Sequence, residues 1–232
     1  MKVFIGMETS GVTRRAFQAR GHDVISCDLL PSQDGEVSRH IQGDLFEVHA
    51  HLHRKGWLAD LAVFHPTCTY LTISAAWAFN DPDYERYPGV GYHQRVNPDT
   101  LVGKARRDAR DAAVNDVLRL WALPIPRKAI ENPIGALSTM WRKPTQVIQP
   151  YQFGDDASKA TCLWLDGLMP LVPTCRKQGR VVEWPKGSGK MVERWSNQTD
   201  SGQNNATPHD DRWQNRSDTF TGIAEAFANQ WG

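Results

Sequence analysis

Apolar residues recur along this chain in short runs, each closed by a polar residue, a glycine or a proline, with helical spacing in between. That rhythm of strand then helix predicts an α/β fold with a mainly parallel sheet and helices on both faces. Residues 2–6 read as the first strand, closed by Gly6. The spacing of Val12, Ala16 and Ala19 predicts a helix over 12–20, ended by Gly21 as a C-cap. A second strand over 23–27 ends at Asp28, a weak run over 37–41 leads to Gly43-Asp44, and apolar spacing predicts a helix over 45–56. Residues 62–64 form a further buried strand that stops at His65-Pro66. A helix follows over about 100–120, then Pro124 and Pro126, then a strand over 128–130 that stops at Glu131-Asn132-Pro133. Beyond it come a short run at 146–149, a polar turn feeding a strand up to Leu165, a hairpin of 180–184 with 190–194, and a closing amphipathic helix over 221–231.

Two of these strand ends carry chemistry. Pro66 cannot donate to a ladder and biases His65 to an extended backbone, so the chain leaves the sheet there and brings Cys68 to the rim where open α/β sheets hold ligands. A lone cysteine is more often a small packed apolar residue. The second strand end, built the same way, adds the carboxylate of Glu131 to the thiol of Cys68. Asp28, a little over 20 residues after the first turn, stands where a nucleoside ribose is held in Rossmann-type folds, with a helix cap or a solvated loop acid as the plainer alternatives. Residues 80–100, rich in Pro, Gly, Tyr and Asp, read as an irregular excursion of the kind that carries function.

Charge changes little: 27 Lys+Arg against 26 Asp+Glu give a net +1, so any contact with nucleic acid comes from local patches. Lys104, Arg106, Arg107 and Arg110, mixed with Asp108 and Asp111, read as a solvated helix face, with phosphate contact as the minor alternative. Four cysteines without a CxxC pair and a strand-like N-terminus with no signal peptide suggest a cytoplasmic protein with reduced thiols. No apolar run approaches the roughly 20 residues that span a bilayer. His49 and His53 are four apart on a helix, but no cysteine or carboxylate nearby completes a metal site, so no metal is expected and the histidines read as solvated. Nine tryptophans suit either a large core or the stacking of a planar ligand.

In the order Phe4-x-Gly6, Asp28, Asp44, Pro66-x-Cys68 and Glu131-Asn132-Pro133, these elements resemble the DNA cytosine-5 methyltransferases. The resemblance covers most of the chain. It implies a Rossmann-like class I methyltransferase fold, S-adenosylmethionine as cofactor and DNA, with a flipped cytosine, as partner. Phe4, Gly6, Glu8, Thr9, Ser10, Gly11, Asp28, Asp44, Pro66, Ser217 and Thr219 would then line the cofactor site, with Glu8 in place of the family's second glycine. Cys68, Glu131 and Lys159 would be catalytic, Lys159 taking the role of the family's arginine. Pro66, Thr67, Asn132, Pro133, Arg86 and Arg95 would face the substrate; Thr67 stands for the usual second proline and Pro133 for a valine. The domains would be a catalytic unit over 1–175 with the excursion 80–100, a reduced recognition region over 176–215 and a returning helix over 216–232.

The implied chemistry begins with a thiolate adding to carbon 6 of cytosine, which turns carbon 5 into a nucleophile for the sulfonium methyl. Glu131 would stabilise charge at ring N3 if burial raises its pKa. His65, adjacent on the strand and so directed to another face, is not assigned as the base for Cys68. Tyr84, Arg86, Tyr87, Tyr92 and Arg95 in the excursion would clamp DNA around the flipped base. Two alternatives remain open: pyrimidine carbon-5 modification with another one-carbon donor or on a free nucleotide, and a non-catalytic nucleic-acid-binding protein on the same fold.

Overall fold

The computed structural model describes residues 1–73, 76–81, 101–205 and 219–232. Its centre is a seven-stranded sheet of β1 (Lys2–Gly6), β2 (Asp23–Asp28), β3 (His40–Gln42), β4 (Leu61–Phe64), β5 (Arg127–Pro133), β6 (Gln146–Ile148) and β7 (Thr161–Asp166), in the order β3-β2-β1-β4-β5-β7-β6. The first five are parallel to one another, and β7 runs antiparallel to both β5 and β6. This order, with its one reversed strand, is the Rossmann-like class I methyltransferase fold.

Residues along β1 and β4 alternate between two cores, as strand geometry requires. Val3, Ile5, Leu61 and Val63 point to the face covered by α1 (Val12–Gln18) and the closing helix α5 (Thr221–Trp231), where they meet Phe17, Ile223, Phe227 and Trp231. Phe4, Ala62 and Phe64 point to the other face, against Leu45, Val48 and Leu52 of α2 (Leu45–Arg54) and Val114, Val117 and Leu120 of α3 (Gly103–Ala122). A short helix α4 (Leu137–Met140) follows β5, and β8 (Arg180–Glu183) pairs with β9 (Met191–Arg194) as a separate hairpin. Among the described residues no helix is long and apolar enough to cross a membrane.

Three sequence expectations change. Helix α1 buries Thr13, Arg14 and Phe17 rather than the Val12, Ala16, Ala19 face; the buried Arg14 is held by Ser26 and by both carboxylate oxygens of Asp34. His49 is half-buried, its ring 6.1 Å from that of Phe4, and burial lowers its pKa, so it is not a solvated position. Phe4, expected to touch the cofactor, has no exposed surface and packs edge-on against Trp57 and Phe64, so it supports the site from beneath.

Candidate active site

The sheet order reverses between β1 and β4, and the crevice above such a reversal is where open α/β sheets bind ligands. Residues 7–11 leave β1 there and residues 65–68 leave β4. Gly6 is required by packing: a Cβ would stand 2.3 Å from Leu45 Cδ1 and 2.6 Å from Phe64 Cδ1. Met7 follows with a φ of 62°, a left-handed conformation rare for a residue with a side chain and of the kind found at ligand sites. Glu8 is 5% exposed; its Oε1 accepts from Thr13 N (2.7 Å) and Ser10 Oγ (3.1 Å), while Oε2 is buried with no partner among the described residues. The carboxylate therefore satisfies an otherwise free amide at the start of α1.

Asp28 and Asp44 both serve local structure. Asp28 Oδ1 accepts from Leu30 N at 2.9 Å, and Asp44 caps α2 by accepting from Phe46 N and Glu47 N. Thr9 is tied to the loop after β2, its carbonyl accepting from Gln33 N and its hydroxyl from Gln33 Nε2. Gly11, with φ 68°, precedes α1.

The two strand ends are joined. Asn132 is 1% exposed and donates from Nδ2 to Pro66 O at 2.7 Å, fixing the turn two residues before Cys68. Farther out, Thr72 bridges to Gly135, and Ala136 N donates to Leu71 O at 2.7 Å. Pro66 is buried, Thr67 exposed and Cys68 half-buried, with no disulfide. Burial pushes the thiols of Cys27 and Cys162 up to about 12 and about 11, which leaves them inert as nucleophiles.

Glu131 follows from strand register. Parallel pairing of Phe64 with Ile130 sets the next residues, His65 and Glu131, side by side at the rim. His65 Nδ1 lies 3.2 Å from Glu131 Oε2, with the two side chains 8% and 13% exposed. The ring also reaches Thr13 Oγ1 through Nε2 and Thr219 Oγ1 through Nδ1, each at 3.4 Å. His65 is the residue that sequence reasoning missed at this site; parallel register between two strands that end in polar residues was the signal for it. Reversal of β7 supplies the third group. Because β7 is antiparallel to β5, with Pro133 opposite Thr161, the segment entering β7 reaches the same rim and brings Lys159 to Glu131. A small cleft there is lined by Glu131, Lys159, Thr161, Thr219, Phe220 and Ile223.

The electrostatics correct one expectation. Burial pushes the Glu131 carboxyl up, but the His65 hydrogen bond, the Lys159 ammonium and the charge of His65 together hold it below the ordinary carboxylate value. Glu131 is thus kept as a carboxylate rather than as a neutral acid.

On α3, Lys104 and Asp108 pair on an exposed face as expected, but Arg106, Arg107 and Arg110 are turned onto the chain. Arg106 is 4% exposed, donates to Thr69 O (3.1 Å) and Leu101 O (3.3 Å), and lies over the rings of Tyr70 and Phe79. Arg107 donates to Phe79 O and pairs with Asp81, and Arg110 covers the other contact with Phe79. These side chains pin the segment that follows Cys68. Arg106→Met is expected to leave two carbonyls without a donor and to lower unfolding free energy by about 1–3 kcal/mol; a urea transition unmoved from wild type would remove Arg106 from this role. Arg86, Arg95 and Ser217, together with Tyr84, Tyr87 and Tyr92, lie outside the described residues.

No protein-family model matches the chain, and no curated protein matches it in sequence. Among solved structures it is similar to an E. coli protein described as a "putative DNA modification methyltransferase encoded within prophage", with a TM-score of 0.44 and 11% identity over 76% of this chain and 52% of that one. The chain thus spans about half the length of that protein.

Proposed function

We propose that this chain transfers a methyl group from S-adenosylmethionine to carbon 5 of cytosine in DNA, with Cys68 as the nucleophile. The observation that carries the reading is the joining of two strand ends at the switch point of a class I methyltransferase sheet: the Cys68 turn is bonded through Pro66 O to Asn132, next to the His65 and Lys159 contacts of Glu131.

The residues present fit the methyl donor. Glu8, with one buried carboxylate oxygen lacking a partner among the described residues, suits a cationic amino group, and Asp28 at the end of β2 suits a ribose. When bound, the donor supplies an electrophilic methyl on a sulfonium. Cys68 adds to carbon 6 and gives carbon 5 the electron density to attack that methyl. Lys159 holds the edge of the pyrimidine where negative charge develops, toward the carbonyl oxygen, and Glu131 lies toward N3 as the group through which a proton reaches the ring. Asn132 keeps the Cys68 turn and the pyrimidine edge in register. The β8–β9 hairpin, with Lys186 and Lys190 exposed at its tip, is the reading's DNA-facing lobe, together with Arg86 and Arg95.

The test is nucleoside mass analysis of duplex DNA after incubation with the protein and S-adenosylmethionine. Formation of 5-methyldeoxycytidine supports the proposal. Cofactor binding without any modified base, but with modification of a pyrimidine nucleotide, would replace it with the free-nucleotide reading.

A further inference from the structure

We propose that His65 is the positioning residue of the pyrimidine pocket, fixing Glu131 through Oε2 and storing the proton that this carboxyl passes to the substrate ring. The inference deepens the cytosine reading and rests on it for the identity of the ring.

The argument starts from a conflict within the site. A ring under attack by a thiolate at carbon 6 gains negative charge, and a proton delivered to N3 neutralises it. Glu131 stands at the rim for that purpose, yet its surroundings keep it ionised. A carboxylate held in that state cannot itself be the source of the proton. It can be the conduit for one, because it has two oxygens and only Oε2 is taken up by His65.

His65 is wired for such a store. Its side chain is 8% exposed and three elements fix its ring: Glu131 on β5, Thr13 on α1 and Thr219 ahead of α5. The charged groups around the pair are Lys159, which enters from the start of β7 and acts on Glu131, and Glu8, which reaches Thr13 through its backbone amide. Cys162, on β7 near Glu131, is pushed up to about 11 by burial first and by Glu131 second, so it stays a neutral thiol.

The step balances as follows. The Cys68 thiolate forms a bond to carbon 6, and the electron pair of the 5,6 double bond is displaced into the ring. Glu131 Oε2 takes the Nδ1 proton of the His65 imidazolium, and the neutral carboxyl so formed gives that same proton to N3 and returns to the carboxylate. The imidazole left behind is neutral and keeps its Nε2 proton, so the contact to Thr13 Oγ1 is the same before and after. Thr219 Oγ1, 3.4 Å from Nδ1, can donate to the bared nitrogen. When carbon 5 has lost its proton and the sulfur leaves, N3 returns the proton by the same route.

The first readout needs neither cofactor nor DNA: the side-chain carboxyl carbon signal of Glu131, followed by NMR against pH in wild type and His65→Asn. Asparagine retains a donor near Oε2 but carries no charge, so Glu131 is expected to titrate at higher pH in H65N, where the retained hydrogen bond and Lys159 still oppose burial but the charge at residue 65 no longer does. An unchanged Glu131 titration overturns the proposal, and His65→Gln serves for the same comparison if H65N does not fold. The second readout is methyl transfer. H65N is expected to lose about 10²-fold in maximal rate, on the scale of general acid catalysis, with a changed pH profile. Imidazole added to His65→Ala is expected to restore part of the rate. Full activity of H65N with the wild-type pH profile would reduce His65 to a structural hydrogen bond. A shifted Glu131 titration in a protein that modifies no cytosine would keep the His65–Glu131 pair and discard the cytosine reading.

Discussion

Cys68→Ala is expected to abolish methyl transfer to cytosine, with a loss of roughly four orders of magnitude or more, the scale on which enzymes fall when a covalent nucleophile is removed. The reason is electronic. Carbon 5 of cytosine does not attack a methyl sulfonium until carbon 6 carries a bond to sulfur, and no other described cysteine can replace Cys68: Cys27 and Cys162 are buried with raised pKa values, and Cys175 lies after β7 against Phe153. The measurement is tritium transfer from labelled S-adenosylmethionine into DNA, beside gel-shift capture of the protein on DNA containing 5-fluorocytosine. Wild type is expected to be trapped as a denaturation-resistant adduct and Cys68→Ala to give none. Because cysteine to alanine is small and Cys68 is only half-buried, cofactor binding and the melting temperature should stay near wild type. Equal trapping of both proteins would end the assignment of Cys68.

The second large effect is expected at Gly135, which touches neither cofactor nor base in the proposal. A Cβ on Gly135 would stand 1.8 Å from Leu71 O and 2.9 Å from Thr72 Cα, so any side chain there must drive the segment after Cys68 away from the segment after Pro133. Gly135→Val is expected to cost about 1–3 kcal/mol of stability through overpacking. It should cost activity out of proportion to that, about 10²-fold, because a displacement near 1 Å between nucleophile and pocket is enough for a loss of this size. Fluorimetric melting and kcat on the same preparations separate the two. If kcat holds while stability falls, the bridge between Thr72 and Gly135 is a fold feature and the pocket is positioned by Asn132 alone.

Strand ends were the most legible part of the sequence. The ends of β4 and β5 were legible because a buried run that stops at polar residues and proline marks where the chain leaves the sheet. The same reading placed the end of β2 at Asp28, the hairpin and the closing helix. Direction was not legible: nothing in residues 161–166 says that β7 runs antiparallel, and that reversal is what brings Lys159 to the rim. Side-chain fate on helices was the weaker part. Arg14 and Arg106 look like solvent residues in composition, yet each is buried because its donors meet fixed acceptors contributed by distant loops. Glu131 was expected to be raised by burial, since burial was all that one position implied. Its partners come from residues 65 and 159, and the His65 hydrogen bond together with the nearby charges outweighs a dry environment.

Helix α5 has a consequence for how the protein comes into being on the ribosome. Ile223, Phe227 and Trp231 close one whole face of the sheet, while Thr219, at the foot of the same helix, reaches His65. Until this segment has been translated and has left the exit tunnel, the nascent sheet presents Val3, Ile5 and Val63 uncovered. A ribosome stalled shortly before codon 219 would therefore display a sticky, inactive intermediate that calls for a chaperone. Emergence of α5, by contrast, covers that face and brings Thr219 to His65 in one docking event.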